Sequence, residues 1–430
     1  MGLFFNTFVA LFSAIGAFLY GYDSGIIASV KAMNQFNAHF HEPSNALLGA
    51  VVSTFNGGCF FGAAGAAWTN DKWGRKRTIQ FGAVWALWGC AMQSGANNIT
   101  TLLIGRIVAG VAIGILSMTV PLYNTEIAPS KRWLLEVGRD EEARQVVYKL
   151  HGGSTPESKE YADKEYAEMH DQIKADALIR SRRLSDLWAT RPMLRRTLIA
   201  VGVQIFGQFT GINVINYFGP QMYQALGLTT SQSLLVQGIY GAVGPIANFF
   251  FITCILDSVG RKKPLMFGAA SFVVTFSILA ALVASFPPES DLNLSAQKAA
   301  ISMIFLTSII FSLSFGPVSW VLASEVFPTK TRSIGTSVAT CANWLFNVLI
   351  SETSPIGLAN VGYKFYILFV CLNAVDFVII TLFFPETKGR TLEDMDIVFG
   401  DKVNAQQVLE EHVETKAEEI FEHNEIKSQA

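Results

Sequence analysis

Charge is scarce in this chain. Asp, Glu, Lys and Arg make up 15% of its 430 residues, with a net charge of −2. A water-soluble protein of this length carries nearer a quarter, so the deficit excludes an ordinary soluble globular chain. No basic patch stands clear of an apolar run, which excludes a nucleic-acid partner. Five cysteines (Cys59, Cys90, Cys254, Cys341 and Cys371) fall in apolar stretches with no metal-ligand spacing. They are expected to be small buried hydrophobes, and neither a metal nor a cofactor is expected. No nucleophile–base pair, metal cluster or phosphate-binding loop is present, so the chain is not read as an enzyme. The N-terminus lacks the basic flank of a cleavable signal.

Apolar sequence is abundant: 51% of the residues are hydrophobic. Counting roughly 20 apolar residues per crossing gives about ten spans. They fall near 4–30, 45–69, 78–97, 100–123, 194–225, 232–256, 264–286, 298–322, 333–352 and 363–384. The fold class expected is an all-α membrane protein. Four spans occupy residues 1–129, a charged linker follows over 130–193, six spans occupy 194–398, and a polar tail covers 399–430. Within the linker, Ala143, Val146, Val147 and Leu150 recur at three-to-four spacing, the pattern of an amphipathic helix. Basic residues cluster in alternate loops: Lys72–Arg77, Lys131–Arg132, Arg261–Lys263, Lys330–Arg332 and Lys388–Arg390. By the positive-inside rule those loops and both termini face the cytoplasm. Two sequons, at Asn98 and Asn293, then lie in short external loops and are expected to be mostly unmodified.

The stretch Val201–Pro220, VGVQIFGQFTGINVINYFGP, carries Gln204, Gln208, Asn213 and Asn216 inside an apolar run. Carboxamides are costly in hydrocarbon unless they meet each other, water or a polar ligand. Gln204 and Gln208 share a helix face, whereas Asn213 lies nearly opposite on a straight helix. A kink at Gly207, Gly211 or Gly219-Pro220 would bring it round. Uncharged groups that both donate and accept suit a polyhydroxylated, uncharged solute. They equally suit the plainer role of holding helices together.

Two charges lie within spans. Asp23 in the first and Arg106 in the fourth each sit about eight residues from the external end, on the order of 12 Å deep. An isolated charge there costs roughly 2.5–3.5 kcal/mol, so the two are expected to pair. A pair that can open would let Asp23 take up a proton, the requirement for proton coupling.

Motifs spread along the chain resemble those of the sugar porter family of the major facilitator superfamily, in particular fungal hexose and disaccharide permeases. They are GYDSG at Gly21–Gly25, DKWGRKR at Asp71–Arg77, GRIVAG at Gly105–Gly110, PLYNTEIAP at Pro121–Pro129, GQFTGINVINYF at Gly207–Phe218, DSVGRKK at Asp257–Lys263, SEVFPTKTR at Ser324–Arg332 and PETKGRTLE at Pro385–Glu393. The resemblance implies two six-helix halves around a central cavity that opens alternately to each side. It implies that Gln204, Gln208, Asn213, Trp320, Asn343 and Asn347 contact sugar, and that Asp23 and Arg106 couple protons. It assigns Asp71, Arg75, Glu126, Arg132, Asp257, Arg261, Glu325 and Arg332 to a cytoplasmic charge network that latches the outward-open state. Departures from the pattern include Gly207 in place of a glutamine, and Asn248 a turn away from an expected asparagine.

The largest departure is in length. Arg132 is followed directly by Trp133, where the family continues through a fifth and sixth helix; roughly 45–70 residues are missing. Losing an even number of crossings preserves the orientation of everything downstream. The lost fifth helix would have supplied a sugar-contacting glutamine and part of the cavity wall. The function expected is proton-coupled sugar transport by alternating access, by a monomer in the plasma membrane, with sugar, protons and the bilayer as its partners. The rival expectation is a non-transporting truncated isoform, or a sugar sensor or regulatory membrane protein.

Overall fold

The computed structural model describes residues 21, 25–127, 135, 138–151, 159–160, 162–164, 166–167, 169–171, 184–286, 293–388, 395 and 398–400. Their ordered elements are helical: α1 (Asn34–His39), α2 (Asn45–Trp73), α3 (Arg75–Ser94), α4 (Ile99–Ile127), α5 (Asp140–His151), α6 (Arg191–Phe209), α7 (Ile212–Ala225), α8 (Thr230–Phe250), α9 (Lys262–Ser285), α10 (Leu294–Ser312), α11 (Phe315–Glu325), α12 (Thr329–Val361) and α13 (Lys364–Phe383).

Helix starts follow local chemistry. Ser44, Thr190 and Asn293 each accept a backbone N–H of the first turn, and Thr229 forms a reciprocal capping box with Gln232. Both sequon asparagines serve in this way. Asn98 Oδ1 accepts Thr101 N at 2.8 Å, and Asn293 Oδ1 accepts Ser295 N and Ala296 N.

Eight stretches among the described residues are helical, long and apolar enough to cross a membrane. They coincide with eight of the ten expected spans. The expected first span falls mostly outside the described residues. The third is helical as α3, but its apolar run is diluted by Arg77, Gln80 and Gln93, and it is not among the eight. The linker forms the expected amphipathic helix α5, with Ala143 and Val147 fully buried.

The N-terminal helices are held by interleaved glycines. Gly58 and Gly62 of α2 face Gly110 and Gly114 of α4 so closely that an added Cβ at any of the four would lie 2.1–2.4 Å from a backbone oxygen of the opposing helix. With lipid as apolar as the side chains, such contact depends on dispersion between backbones in close approach. The two halves then join along α2 and α12. Ser337 Oγ donates to Ala63 O at 2.8 Å, and Trp344 is fully buried among Phe55, Cys59 and Ala63. In the C-terminal half one large core runs through α6, α9, α11, α12 and α13, centred on Phe272, Phe276, Phe315 and Phe369. Buried Arg196 of α6 ties this core together by donating to Val326 O at 2.9 Å and Met395 O at 3.3 Å.

One helix is uncovered. Only 11% of the most apolar window of 230–255 is buried within the protein, against 67% for 191–225. Leu235, Ile239, Ile246, Phe249 and Phe250 are exposed, and Gly238 and Gly241 face open space. This face carries large apolar side chains around Gly238 and Gly241, in a chain shorter than the family pattern by two expected helices.

The cysteines depart from expectation. Cys59 is buried and Cys341 partly so, but Cys90, Cys254 and Cys371 are exposed on the outer surface of the bundle. In a membrane the surrounding hydrocarbon satisfies an apolar thiol as well as a protein core does, so sequence apolarity cannot separate the two settings.

Candidate functional site

The long apolar stretch 191–225 is broken at one place. Gly211 adopts φ 76°, a left-handed conformation that ends α6 and starts α7. A Cβ there would also lie 2.8 Å from the Phe276 ring. Of the three expected kink points only this one breaks the helix; α7 runs unbroken through Gly219 and Pro220. The break swings Asn213 onto the face of Gln208, as a straight helix could not.

A directed relay of amides results. Tyr240 Oη donates to Asn216 Oδ1 at 2.9 Å, and Asn216 Nδ2 donates to Asn213 Oδ1 at 3.3 Å. Asn213 Nδ2 then donates to Gln208 Oε1 at 2.6 Å, and Gln208 Nε2 to Asn343 Oδ1 at 2.6 Å. Gln208, Asn213 and Asn343 are each at least nine-tenths buried. A second amide cluster spans the two halves. Asn56 Nδ2 of α2 donates to Asn347 Oδ1 at 3.0 Å and to Ser351 Oγ at 3.2 Å, while Tyr217 Oη donates to Asn56 Oδ1 at 3.5 Å. Gln204 is joined more loosely, its Nε2 3.5 Å from Ser319 O, and Ser319 precedes the half-buried Trp320 in α11.

The structure thus gathers Gln208, Asn213 and Asn343 into one hydrogen-bonded group, places Asn347 in the neighbouring one, and brings Gln204 beside the Trp320 segment. It adds Asn56, Tyr217 and Tyr240, and draws Asn216 of the amide stretch into the relay. Asn56 was legible as a lone amide in an otherwise apolar span, where a buried polar group needs a partner. Its partner lies 291 residues away, so nothing local pointed to it.

Arg106 is fully buried and turned into the bundle. Its Nε donates to Val51 O at 3.0 Å, its Nη1 to Gln93 Oε1 at 3.4 Å, and its guanidinium lies 4.2 Å from the Phe55 ring centroid. Asp23 lies outside the described residues.

At the expected cytoplasmic end, Arg261 and Glu325 form an ion pair at 3.0 Å, and Glu325 Oε2 accepts Thr387 Oγ1 at 3.2 Å. Arg332 donates to Phe327 O. Of the remaining expected members, the side chains of Asp71, Arg75, Glu126 and Asp257, and all of Arg132, lie outside the described residues. Sequence reasoning passed over Glu386, whose carboxylate accepts Arg261 N at 2.8 Å and Lys262 N at 3.1 Å. An anion at a helix start meets unpaired N–H groups and the favourable end of the dipole. The preceding Gly260 has φ 90°, and Gly74 in the matching N-terminal loop has φ 78°. A Cβ at Gly260 would lie 2.7 Å from the Glu386 carboxyl. Gly260→Ala is therefore expected to destabilise the C-terminal half by about 1–3 kcal/mol, read as a lowered unfolding temperature in detergent. Gly238→Ala, which meets open space, should not lower it.

The sequence profile of the family described as "Sugar (and other) transporter" matches residues 9–131 and 129–399. Its two pieces meet at the point where the helices are missing. The chain is 31% identical over 463 aligned positions to the MFS-type transporter criB of Aspergillus cristatus, covering 93% of this chain and 95% of that protein. The aligned positions outnumber the 430 residues of this chain, so the relative carries residues with no counterpart here. It is also 24% identical to the high-affinity glucose transporter 1 of Candida albicans, covering 93% of this chain and 86% of that one. Among solved structures, the proton:xylose symporter XylE of E. coli superimposes with a TM-score of 0.74 at 23% identity, over 93% of this chain and all of the other, which shows a shared fold. The bundle is thus a shortened major facilitator fold, and the chain belongs to the sugar (and other) transporter family.

Proposed function

We propose that the protein carries a sugar, or a similarly hydroxylated solute, across the membrane by alternating access, with protons as the driving ion. The amide relay from Tyr240 to Asn343 carries this reading. It holds paired donors and acceptors, uncharged and buried, within the C-terminal half beside the Asn56–Asn347 cluster that joins the halves, and such groups exchange their mutual hydrogen bonds for solute hydroxyls at little net cost. In this reading Gln204, Gln208, Asn213, Trp320, Asn343 and Asn347 contact the solute. Trp320 supplies an apolar ring face plus one donor. Asp23 and Arg106 form the coupling pair: protonation of Asp23 releases Arg106 and allows the halves to rock. The inward direction of Arg106, and a structural relative named as a proton:xylose symporter, support that assignment. Arg261, Glu325 and Arg332, with Asp71, Arg75, Glu126, Arg132 and Asp257, act as the cytoplasmic latch. Both termini face the cytoplasm, and the protein works as a monomer in the plasma membrane.

The test is uptake into proteoliposomes under an inwardly directed proton gradient, across a panel of labelled hexoses, pentoses, disaccharides and sugar acids. Wild type is expected to accumulate its solute uphill, whereas Asp23→Asn should lose accumulation and keep some exchange. Equal uphill uptake by the variant would sink the coupling assignment.

The uncovered face of α8 favours a second reading, in which the shortened chain does not transport and instead associates with full-length transporters. Absence of both uptake and exchange for every solute in the panel would support it.

A further inference from the structure

Lys31 takes no part in the mechanism above, yet it is 1% exposed. It closes the described helical stretch 25–31, on the face that also buries Ile27 and Ala28. Its Nζ lies 4.0 Å from the centroid of the Phe218 ring, and no hydrogen-bond acceptor meets it among the described residues. Phe218 follows Tyr217, the residue that reaches Asn56 and through it Asn347. Phe218 and Tyr217 pack together with Val52, one turn before Asn56 on α2, so the ammonium lies one side chain away from the amide cluster that bridges the halves.

Its electrostatic setting is unfavourable. Arg106, also fully buried, is close enough to repel it. Asp23 is the only acidic residue in the first 41 positions, and Glu352 of α12 faces α2 at Gly49, yet no described carboxylate pairs with Lys31; an Asp23–Arg106 pair would leave the Lys31 charge without a described counter-ion. A ring face restores only part of the hydration an ammonium loses on burial. An anion arriving with the solute would supply the rest.

We propose that Lys31 recognises a carboxylate on the solute, and that the solute class is a polyhydroxylated monocarboxylate: an acid whose hydroxyls meet the amides while its carboxylate pairs with the Lys31 ammonium. This rests on the reading of the amide clusters as the solute site and narrows the substrate class that site takes. A buried cation paired with a ligand anion discriminates strongly, because the neutral analogue leaves the charge unmatched.

Matched pairs that differ only in the acid group test it: D-galacturonate against D-galactose, D-glucuronate against D-glucose, and D-gluconate against D-sorbitol. Binding to the full-length protein in nanodiscs is read by titration calorimetry at pH 7. In at least one pair the acid should bind tenfold or more tighter, and added salt should narrow the gap. Lys31→Met, nearly equal in volume, should cut the acid-to-neutral affinity ratio at least tenfold, and Lys31→Arg should keep most of it. Unfolding temperatures of both variants establish that they are folded. Binding of neutral members without preference for any acid, or a ratio unchanged in Lys31→Met, overturns the carboxylate assignment and leaves the solute site standing. No binding by any member of the three pairs overturns both.

Discussion

Gln208→Ala should weaken solute binding by one to two orders of magnitude, the largest effect expected of any single amide. Gln208 is the one side chain in the relay that bonds to two other members on different helices through short contacts, Asn213 and Asn343, both at 2.6 Å. Truncation removes whatever it offers a solute and leaves two buried amides each short of a partner. Each unsatisfied buried group costs about 1–3 kcal/mol, and roughly 1.4 kcal/mol is a factor of ten in affinity. Gln204→Ala provides the contrast, since Gln204 is held only by a 3.5 Å contact to Ser319 O and should matter several-fold at most. Half-saturation for uptake or counterflow, measured side by side, checks both. Equal effects at the two positions would mean that the relay only packs helices.

Gly110→Leu should abolish the folded N-terminal half. Even a methyl group at Gly110 would lie 2.1 Å from Phe55 O, a backbone atom that cannot rotate away. Ordinary overpacking costs about 1–3 kcal/mol, and here two helices must separate along their length. That separation also disturbs Phe55, which stacks on Arg106, and its neighbour Asn56. Loss of the monodisperse peak in detergent size-exclusion chromatography is the expected result. Gly57→Leu, one residue from Gly58 on α2 but facing open space, should elute as wild type does. A well-behaved Gly110→Leu protein would show that the interleaved glycines are dispensable.

Both predictions involve residues whose types stood out in the sequence and whose partners did not. Gln208 and Asn213 were conspicuous as amides in an apolar run, and a break between them was foreseen. Three places for the break were open, because any glycine permits a kink and only packing decides which one is used. Phe276 and Phe369 crowd Gly211 and fix the choice. Gly58-xxx-Gly62 and Gly110-xxx-Gly114 are legible spacings in retrospect, yet nothing in either helix alone says that it faces the other. Nothing local marks Lys31, a single cation just past the first expected span, as buried, since the ring that receives it lies 187 positions away in sequence.

Composition and motif spacing by themselves determined that the chain is a helical membrane protein, roughly where its spans lie, and that its length falls short of its relatives. These properties depend on hydrophobicity and order along the chain, and both can be read without partners. Tertiary structure alone decided which amides hydrogen-bond to which, that Arg106 turns inward, that Lys31 is buried, and that α8 is left uncovered. Each of these depends on which faces of separate helices meet. In hydrocarbon that choice is made by the close fit of small residues and the pairing of scarce polar groups, neither of which the local sequence records.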